Sequence, residues 1–224
     1  MWTRALTLML LACSALTACG PRAGADVRAS ALADSQVQKQ AVQTDARAET
    51  GALSLSSEDE AINGKPLKLP LVQPKIVVEK GARRLTLYSG GERVRVFSVA
   101  LGFEPAGDKV KQGDGRTPEG DFYVCMKNDK SKFYLSLGLS YPNAEDAERG
   151  LRDGIINRAQ HKQIVNAISR GGKPPWNTAL GGEIFIHGGG TASDWTWGCV
   201  ALANEHVKEL FDSIPLGTHV RIEH

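Results

Sequence analysis

From Lys75 onward the chain runs in short apolar stretches, several of them alternating apolar and polar residues. Side chains on successive strand residues point to opposite faces, so a period of two buries one face of a sheet. Arg84-Leu85-Thr86-Leu87-Tyr88 and Glu92-Arg93-Val94-Arg95-Val96-Phe97-Ser98-Val99 both alternate, and Ser89-Gly90-Gly91 between them reads as a hairpin turn. Ile76-Val77-Val78-Glu79 adds an apolar strand. Further short strands are expected at Asp121–Met126, Tyr134–Leu139, Glu183–Ile186 and His219–Ile222. The expected fold is mainly β.

Helical periodicity interrupts this pattern twice. Asn143 can cap a helix over Ala144–Arg152. Ile155, Ile156, Ala159, Ile164, Val165 and Ile168 suggest a second helix, ended by Gly171-Gly172 and Pro174-Pro175. This helical insertion, about residues 143–172, lies just before the segment that carries His187. Such insertions form a lid, a wall of a site, or a plain surface elaboration. Near the C-terminus, Asn204 reads as an N-cap, followed by Val207, Leu210, Phe211 and Ile214 at helical spacing.

The first 70 residues follow other rules. Met1-Trp2-Thr3-Arg4 gives a short positive region, and Ala5 to Ala15 is apolar but shorter than the ~20 residues of a membrane span. Leu16-Thr17-Ala18-Cys19 resembles a bacterial lipoprotein signal, cut before a cysteine that takes lipid. Residues 1–18 are then the signal peptide, Cys19 is the lipidated residue, and Gly20 after it favours the outer membrane facing the periplasm. An ordinary signal cut near Ala18 or Ala23 is the alternative, and Cys13 is a second candidate with a shorter apolar run. Residues 19–70 lack aromatic residues and are rich in Ala, Ser, Gln, Asp and Glu, too poor in apolar surface to offset ordering entropy. They read as a tether of about 40 Å mean reach, stiffened by Pro66, Pro70 and Pro74. The folded domain is expected over residues 71–224. The formal net charge is +2, without a Lys/Arg run, so charge names no nucleic-acid partner.

An exported domain would retain Cys125 and Cys199. Exported cysteines are commonly paired, and a Cys125–Cys199 disulfide is one reading. Cys125 sits inside an expected strand, which favours a small buried hydrophobe. Cys199 follows Trp195-Thr196-Trp197-Gly198, twelve residues after His187-Gly188-Gly189-Gly190. A histidine-glycine run can form the oxyanion loop of a serine esterase, but no Gly-x-Ser-x-Gly elbow follows. His187 and Cys199 could ligate a metal with His206 or Asp194, yet the spacing lacks paired C-x-x-C or H-x-x-x-H geometry. The remaining reading is a thiol nucleophile with an imidazole base. A nearby imidazolium would lower the ordinary thiol pKa of about 8.5. The Gly198 and Cys199 N–H groups could meet a developing oxyanion.

These residues carry a resemblance. Leu85-Thr86-Leu87-Tyr88, Ala100-Leu101-Gly102 running to Gly113-Asp114-Gly115-Arg116-Thr117-Pro118-Glu119-Gly120, Ile186-His187-Gly188 and Gly198-Cys199-Val200 occur in the order of the YkuD-type L,D-transpeptidase catalytic domain. The chain resembles that family from about Lys75 to His224. The resemblance implies a mixed β-sandwich or barrel with a helical insertion and a C-terminal helix. It implies cysteine-dependent acyl transfer on peptidoglycan stem peptides, with Cys199 as nucleophile and His187 as general base and acid. It also implies that the Gly188 carbonyl orients His187, that the Gly198 N–H serves the oxyanion, and that neither cofactor nor metal is required. Many members have a second histidine where Trp197 stands, and arginine or asparagine where Ala201 and Leu202 stand. The family's carboxylate-binding arginine is therefore missing near the cysteine. Arg116 could replace it or merely brace a loop, and Trp195 and Trp197 could form a platform for substrate or pack under the loop. Hydrolysis on the same scaffold and a non-catalytic wall-binding lipoprotein are the rival functions.

Overall fold

The computed structural model describes residues 55–224. The signal segment, Cys19 and the tether as far as residue 54 lie outside the described residues. Eight strands form one sheet: β1 (Lys75–Glu79), β2 (Arg84–Ser89), β3 (Glu92–Ser98), β4 (Gly120–Ser131), β5 (Tyr134–Leu139), β6 (Phe185–His187), β7 (Val200–Ala201) and β8 (His219–Glu223). Their order is β3-β2-β1-β8-β4-β5-β6-β7. Most neighbours are antiparallel, but β1 with β8 and β6 with β7 are parallel. The two outer strands are joined rather than left open. Ala100, just past β3, bridges to Ala201 in β7, with N–H to O distances of 3.0 and 2.8 Å in the two directions. The sheet thereby curls on itself and one edge is covered. Mainly β, with a helical insertion and a C-terminal helix, is the architecture expected from the sequence.

The alternating residues fill the interior of the curl. Ile76, Leu85, Leu87, Val124, Leu137, Ile186, Val220 and Ile222 are fully buried. Each such side chain contributes about 1.5–3 kcal/mol of apolar burial. Val207, Leu210 and Ile214 from the C-terminal helix join the same core.

Among the described residues four helices accompany the sheet: α1 (Ser57–Asn63), α2 (Ala144–Arg152), α3 (Arg158–Ser169) and α4 (Asn204–Ser213). Helix α1 falls inside the segment read as tether. Ser56 and Asp59 cap it reciprocally. Asn63 then takes the place of a neighbouring strand for β3, donating to Val96 O at 2.6 Å and accepting from Val96 N–H at 2.9 Å. Composition alone hides this, because the segment is held by polar groups rather than by apolar burial.

Asn143 caps α2 as expected, and Asn157 caps α3 in the same way. The two helices share a small core of Ala147, Ile156, Ile164 and Leu180. Gly150 permits it, since a Cβ there would lie 2.8 Å from Leu180. The expected cap of α4 is different in the structure. Ala203 occupies the cap position without a side-chain bond, and Asn204 is the first helical residue. The Asn204 side chain instead accepts from Gly189 N–H at 3.0 Å. Strand β4 also runs five residues past the expected end at Met126, through a polar stretch that pairs with β5 beside the site.

Candidate active site

The sheet places His187 at the end of β6, between Ser136 of β5 and Ala201 of β7. The imidazole is buried. Its Nδ1 lies 2.6 Å from the Gly188 carbonyl oxygen. That oxygen can only accept, so Nδ1 carries the proton and Nε2 keeps its lone pair. Phe133 stacks on the ring with centroids 4.6 Å apart, and Trp195 meets it edge-on at 5.5 Å. Trp195 in turn donates from its indole nitrogen to Gly190 O at 3.2 Å. The loop after β6 is further fixed from the hairpin, where Phe133 O accepts from Gly188 N–H at 3.1 Å.

Cys199 sits immediately before β7. Its Sγ accepts from Phe185 N–H at 3.4 Å and donates to Glu183 O at 3.5 Å. The backbone around it is held by two threonines. Thr196 Oγ1 accepts from Gly198 N–H at 3.1 Å and donates to Cys199 O at 2.8 Å. Thr117 Oγ1 also approaches Cys199 O, at 3.5 Å, while accepting from Gly102 N–H at 2.9 Å. Gly198 has φ +122°, and a Cβ there would come within 2.5 Å of Arg116 O. Glycine is required at that position on both counts.

His187 and Cys199 line one cavity of about 410 Å³, together with Ser136, Phe185, Glu183 and the hairpin residues Asn128 and Lys130 to Phe133. Cys199 also lines a second cavity of about 400 Å³, with Lys109, Gln112, Gly113, Gly181, Gly182, Glu183, Ile184 and Trp197. Cys199 and Glu183 are thus common to both. Glu183 holds a left-handed backbone, φ +55°, unusual for a residue with a side chain.

Burial dominates the electrostatics. It pushes the Cys199 thiol up to about 11, against the pull of the Phe185 N–H and the Lys109 ammonium, with Glu183 pushing the same way as burial. Burial also holds His187 below its ordinary value, opposed by the Gly188 carbonyl. The pair is therefore a neutral thiol and a neutral imidazole at neutral pH. This differs from the expected imidazolium, because a charge on His187 would be as poorly solvated as one on sulfur.

The other expected residues divide. The Gly188 carbonyl is the hydrogen-bond partner of His187 Nδ1. The Gly198 N–H is already given to Thr196, so it is not a free oxyanion donor, and the Cys199 N–H is the remaining candidate of the two. Arg116 lines neither cavity; its Nη1 donates to Asp108 O at 3.4 Å. Trp195 packs on His187, whereas Trp197 is 69% exposed on the second cavity and touches Phe103 edge-on at 4.8 Å. Cys125 and Cys199 are both free. Asp194 is bound to Arg83 and to Leu101 N–H, and His206 stacks on Phe97. Among the described residues no group of three His, Cys, Asp or Glu side chains could hold a metal. Sequence reading missed Phe133, Thr196, Thr117, Lys109 and Glu183. Only the threonines sat inside motifs already singled out.

A model of the L,D-transpeptidase catalytic domain matches residues 73–222. A comparison with curated proteins finds no match. Among solved structures, the chain is similar to the helical cell shape determining protein Pgp2 from Campylobacter jejuni, at 19% identity and TM-score 0.46, covering 74% of this chain and 53% of that one. Bd1075 from Bdellovibrio bacteriovorus shows 20% identity and TM-score 0.45, over 70% of this chain and 49% of that one. An L,D-transpeptidase from Xylanimonas cellulosilytica shows 17% identity and TM-score 0.41, over 71% and 64%. The chain spans about half to two thirds of the solved chains it resembles. With the family model covering two thirds of its length, the chain belongs to the YkuD L,D-transpeptidase catalytic-domain family.

Proposed function

We propose that this chain is a cysteine-dependent L,D-transpeptidase acting on peptidoglycan stem peptides through a thioester acyl-enzyme. The observation that carries the reading is that Cys199 lines two cavities, of which one also holds His187. A donor peptide and an acceptor can then approach one sulfur from different sides. Because thiol and imidazole are both neutral, proton transfer accompanies attack. The Sγ–H proton passes to His187 Nε2 as sulfur bonds to the carbonyl carbon between the diamino acid and the terminal D-alanine. The tetrahedral adduct collapses, the C–N bond breaks, and the imidazolium returns its proton to the leaving D-alanine amine. An acceptor amine then attacks the thioester, giving its proton to His187 and releasing the thiol. The acceptor is either a second stem peptide, giving a cross-link, or the amine of a protein to be attached.

Hydrolysis is favoured by one specific feature, the polar wall of the second cavity, where Lys109, Gln112 and Glu183 can admit water to the thioester. Incubation with purified stem peptides, with and without an added amine, followed by mass spectrometry of protein and products, separates the two. A thioester on Cys199 and an amine adduct are expected. Cross-links or adducts still formed by a Cys199→Ala protein would end the reading. Absence of any covalent adduct of Cys199 with an acylating carbapenem would favour a non-catalytic wall-binding role. We further propose that Cys19 carries lipid and anchors the domain on the periplasmic face of the outer membrane. Membrane fractionation of a Cys19→Ser chain should release it; retention in the membrane would count against the anchor.

A further inference from the structure

Lys109 is a buried cation that the mechanism above leaves unused. Its side chain is 3% exposed and donates from Nζ to Asp114 Oδ1 at 2.7 Å. Asp114 in turn accepts from the N–H groups of Val110, Lys111 and Arg116, at 2.8, 3.0 and 3.1 Å. These bonds close the irregular segment between β3 and β4 around the lysine. Lys109 thereby stands in the wall of the second cavity, beside Cys199. The charged side chains whose fields act on the thiol are Lys109, which attracts negative charge to it, and Glu183, which repels it. Lys109 lines that cavity with Cys199, whereas Asp114 does not. This matters more because the Gly198 N–H is spent on Thr196.

The helical insertion reaches the same point. Arg149 of α2 donates to Lys109 O at 2.8 Å and pairs with Asp108 at 2.8 Å and Asp146 at 2.7 Å. Asp146 is itself buried in the capping box of α2. Two acidic residues and one backbone carbonyl therefore hold Arg149, and through it the backbone of Asp108 and Lys109.

We propose that Lys109 is the electrostatic partner that stabilises negative charge at Cys199 during attack, and that α2 of the helical insertion holds it in place. A unit charge near a partly buried site acts through an effective dielectric well below that of water, so its removal should be felt. The proposal rests on Cys199 being the nucleophile, but its test does not require turnover.

The measurement is the rate of Cys199 alkylation by iodoacetamide in the full chain, read by peptide mass spectrometry from about pH 6 to pH 10. Only the thiolate reacts appreciably, so the rate follows the charge on sulfur. Lys109→Met should slow alkylation about three- to tenfold at pH 8, and Lys109→Arg should retain most of the wild-type rate. Lys109→Met leaves the largely covered Asp114 carboxylate without its cation, which can unfold the segment. The double variant Lys109→Met/Asp114→Asn removes both charges and should show the same slowing with an unchanged circular dichroism spectrum. Glu183→Gln should move the rate the other way. Arg149→Met should slow alkylation in the same direction and add nothing to Lys109→Met. A folded double variant alkylated at the wild-type rate across the range would overturn the role of Lys109. Wild-type alkylation in Arg149→Met would overturn the role of the insertion. If Cys199→Ala keeps full activity while these shifts occur, the proposed function fails and the electrostatic assignment stands.

Discussion

The two flanks of the site are built by different means. The His187 flank is regular structure: a strand end, its paired neighbours, and the rings of Phe133 and Trp195. The Cys199 flank is irregular chain held by polar side chains. Thr196 and Thr117 fix the backbone at the cysteine, Asp114 folds the segment from Val110 to Arg116, and buried Lys80 ties Thr117 O at 2.9 Å to Glu119 at 2.8 Å. The base is therefore positioned by sheet pairing and contact area. The nucleophile is positioned by directional bonds, each of which is costly to remove from a buried place. Small substitutions should then be tolerated on the His187 flank and felt on the Cys199 flank, apart from the reacting groups themselves.

The reacting groups set the largest effect. His187→Ala should lower acylation of Cys199 by stem peptide about 10²- to 10⁴-fold, the usual range for a positioned general base. The neutral pair sharpens this, because a thiol pushed up to about 11 has little thiolate to fall back on near neutral pH. A loss of less than tenfold in single-turnover acylation would mean that another group accepts the proton.

Thr196→Val tests the loop flank next. It preserves shape but removes the acceptor for the buried Gly198 N–H, leaving it unpaired, and the nearer of two hydroxyl donors to Cys199 O, leaving only Thr117 Oγ1 at 3.5 Å. A stability loss of about 1–3 kcal/mol is expected, with a fall of about tenfold in acylation rate as the nucleophile loses its register. Denaturant titration and single-turnover kinetics read the two separately. Wild-type values for both would break the contrast between the flanks.

Asp194→Asn is a milder probe of the same flank. Asp194 accepts from Leu101 N–H at 2.8 Å and pairs with Arg83 at 2.7 Å, both side chains being partly exposed. Water screens such a pair, so about 1 kcal/mol is expected in denaturant titration. Asparagine keeps an acceptor for Leu101, and acylation should stay within about threefold of wild type. A larger stability loss would show that the pair is better shielded than its exposure indicates.

This contrast also explains what could be read from the sequence. Alternation, apolar runs and glycine turns reveal β1, β2, β3 and β8, and apolar spacing reveals α3 and α4, because burial imprints a period; α2 is legible from the Asn143 cap. His187 is legible as a strand end, and Cys199 is legible from the glycine before it. Strand β7 is two residues long and leaves no periodic trace. The extension of β4 past Met126 is polar and pairs only through its backbone. Helix α1 is hidden because Asn63 and Arg93 hold it through polar contacts to partners more than thirty residues away. Asn204 shows the same problem from the other side: a residue type suited to capping a helix was bonded to the His187 loop instead. Lys109 was given no role from the sequence, and Asp114 stood only as one residue of the family motif, because their role comes from partners and burial. Directional contacts between distant residues carry no period, and they are what build the Cys199 flank.

The smallest expected effect belongs to Phe133, and it asks what the aromatic flank does for the base. His187 must be neutral to accept the thiol proton, so activity falls as pH drops through its folded pKa. That pKa lies below the ordinary 6.5 because burial disfavours the imidazolium. Phe133 covers one face of the ring while being 44% exposed itself. Phe133→Ala should admit water and move the acidic limb of the acylation rate upward, toward 6.5, by a few tenths of a pH unit. The same substitution should weaken the acid sensitivity of folding. A histidine with a depressed folded pKa contributes stability that is present above its unfolded value and lost as pH falls through the folded one. Lessening the depression lessens that loss. The opposing effect is attraction between an imidazolium and the face of the phenyl ring. If that attraction dominated, the limb would move downward in Phe133→Ala. Direction alone therefore decides whether the stacked ring acts as a cover over a neutral base or as a partner for its cation.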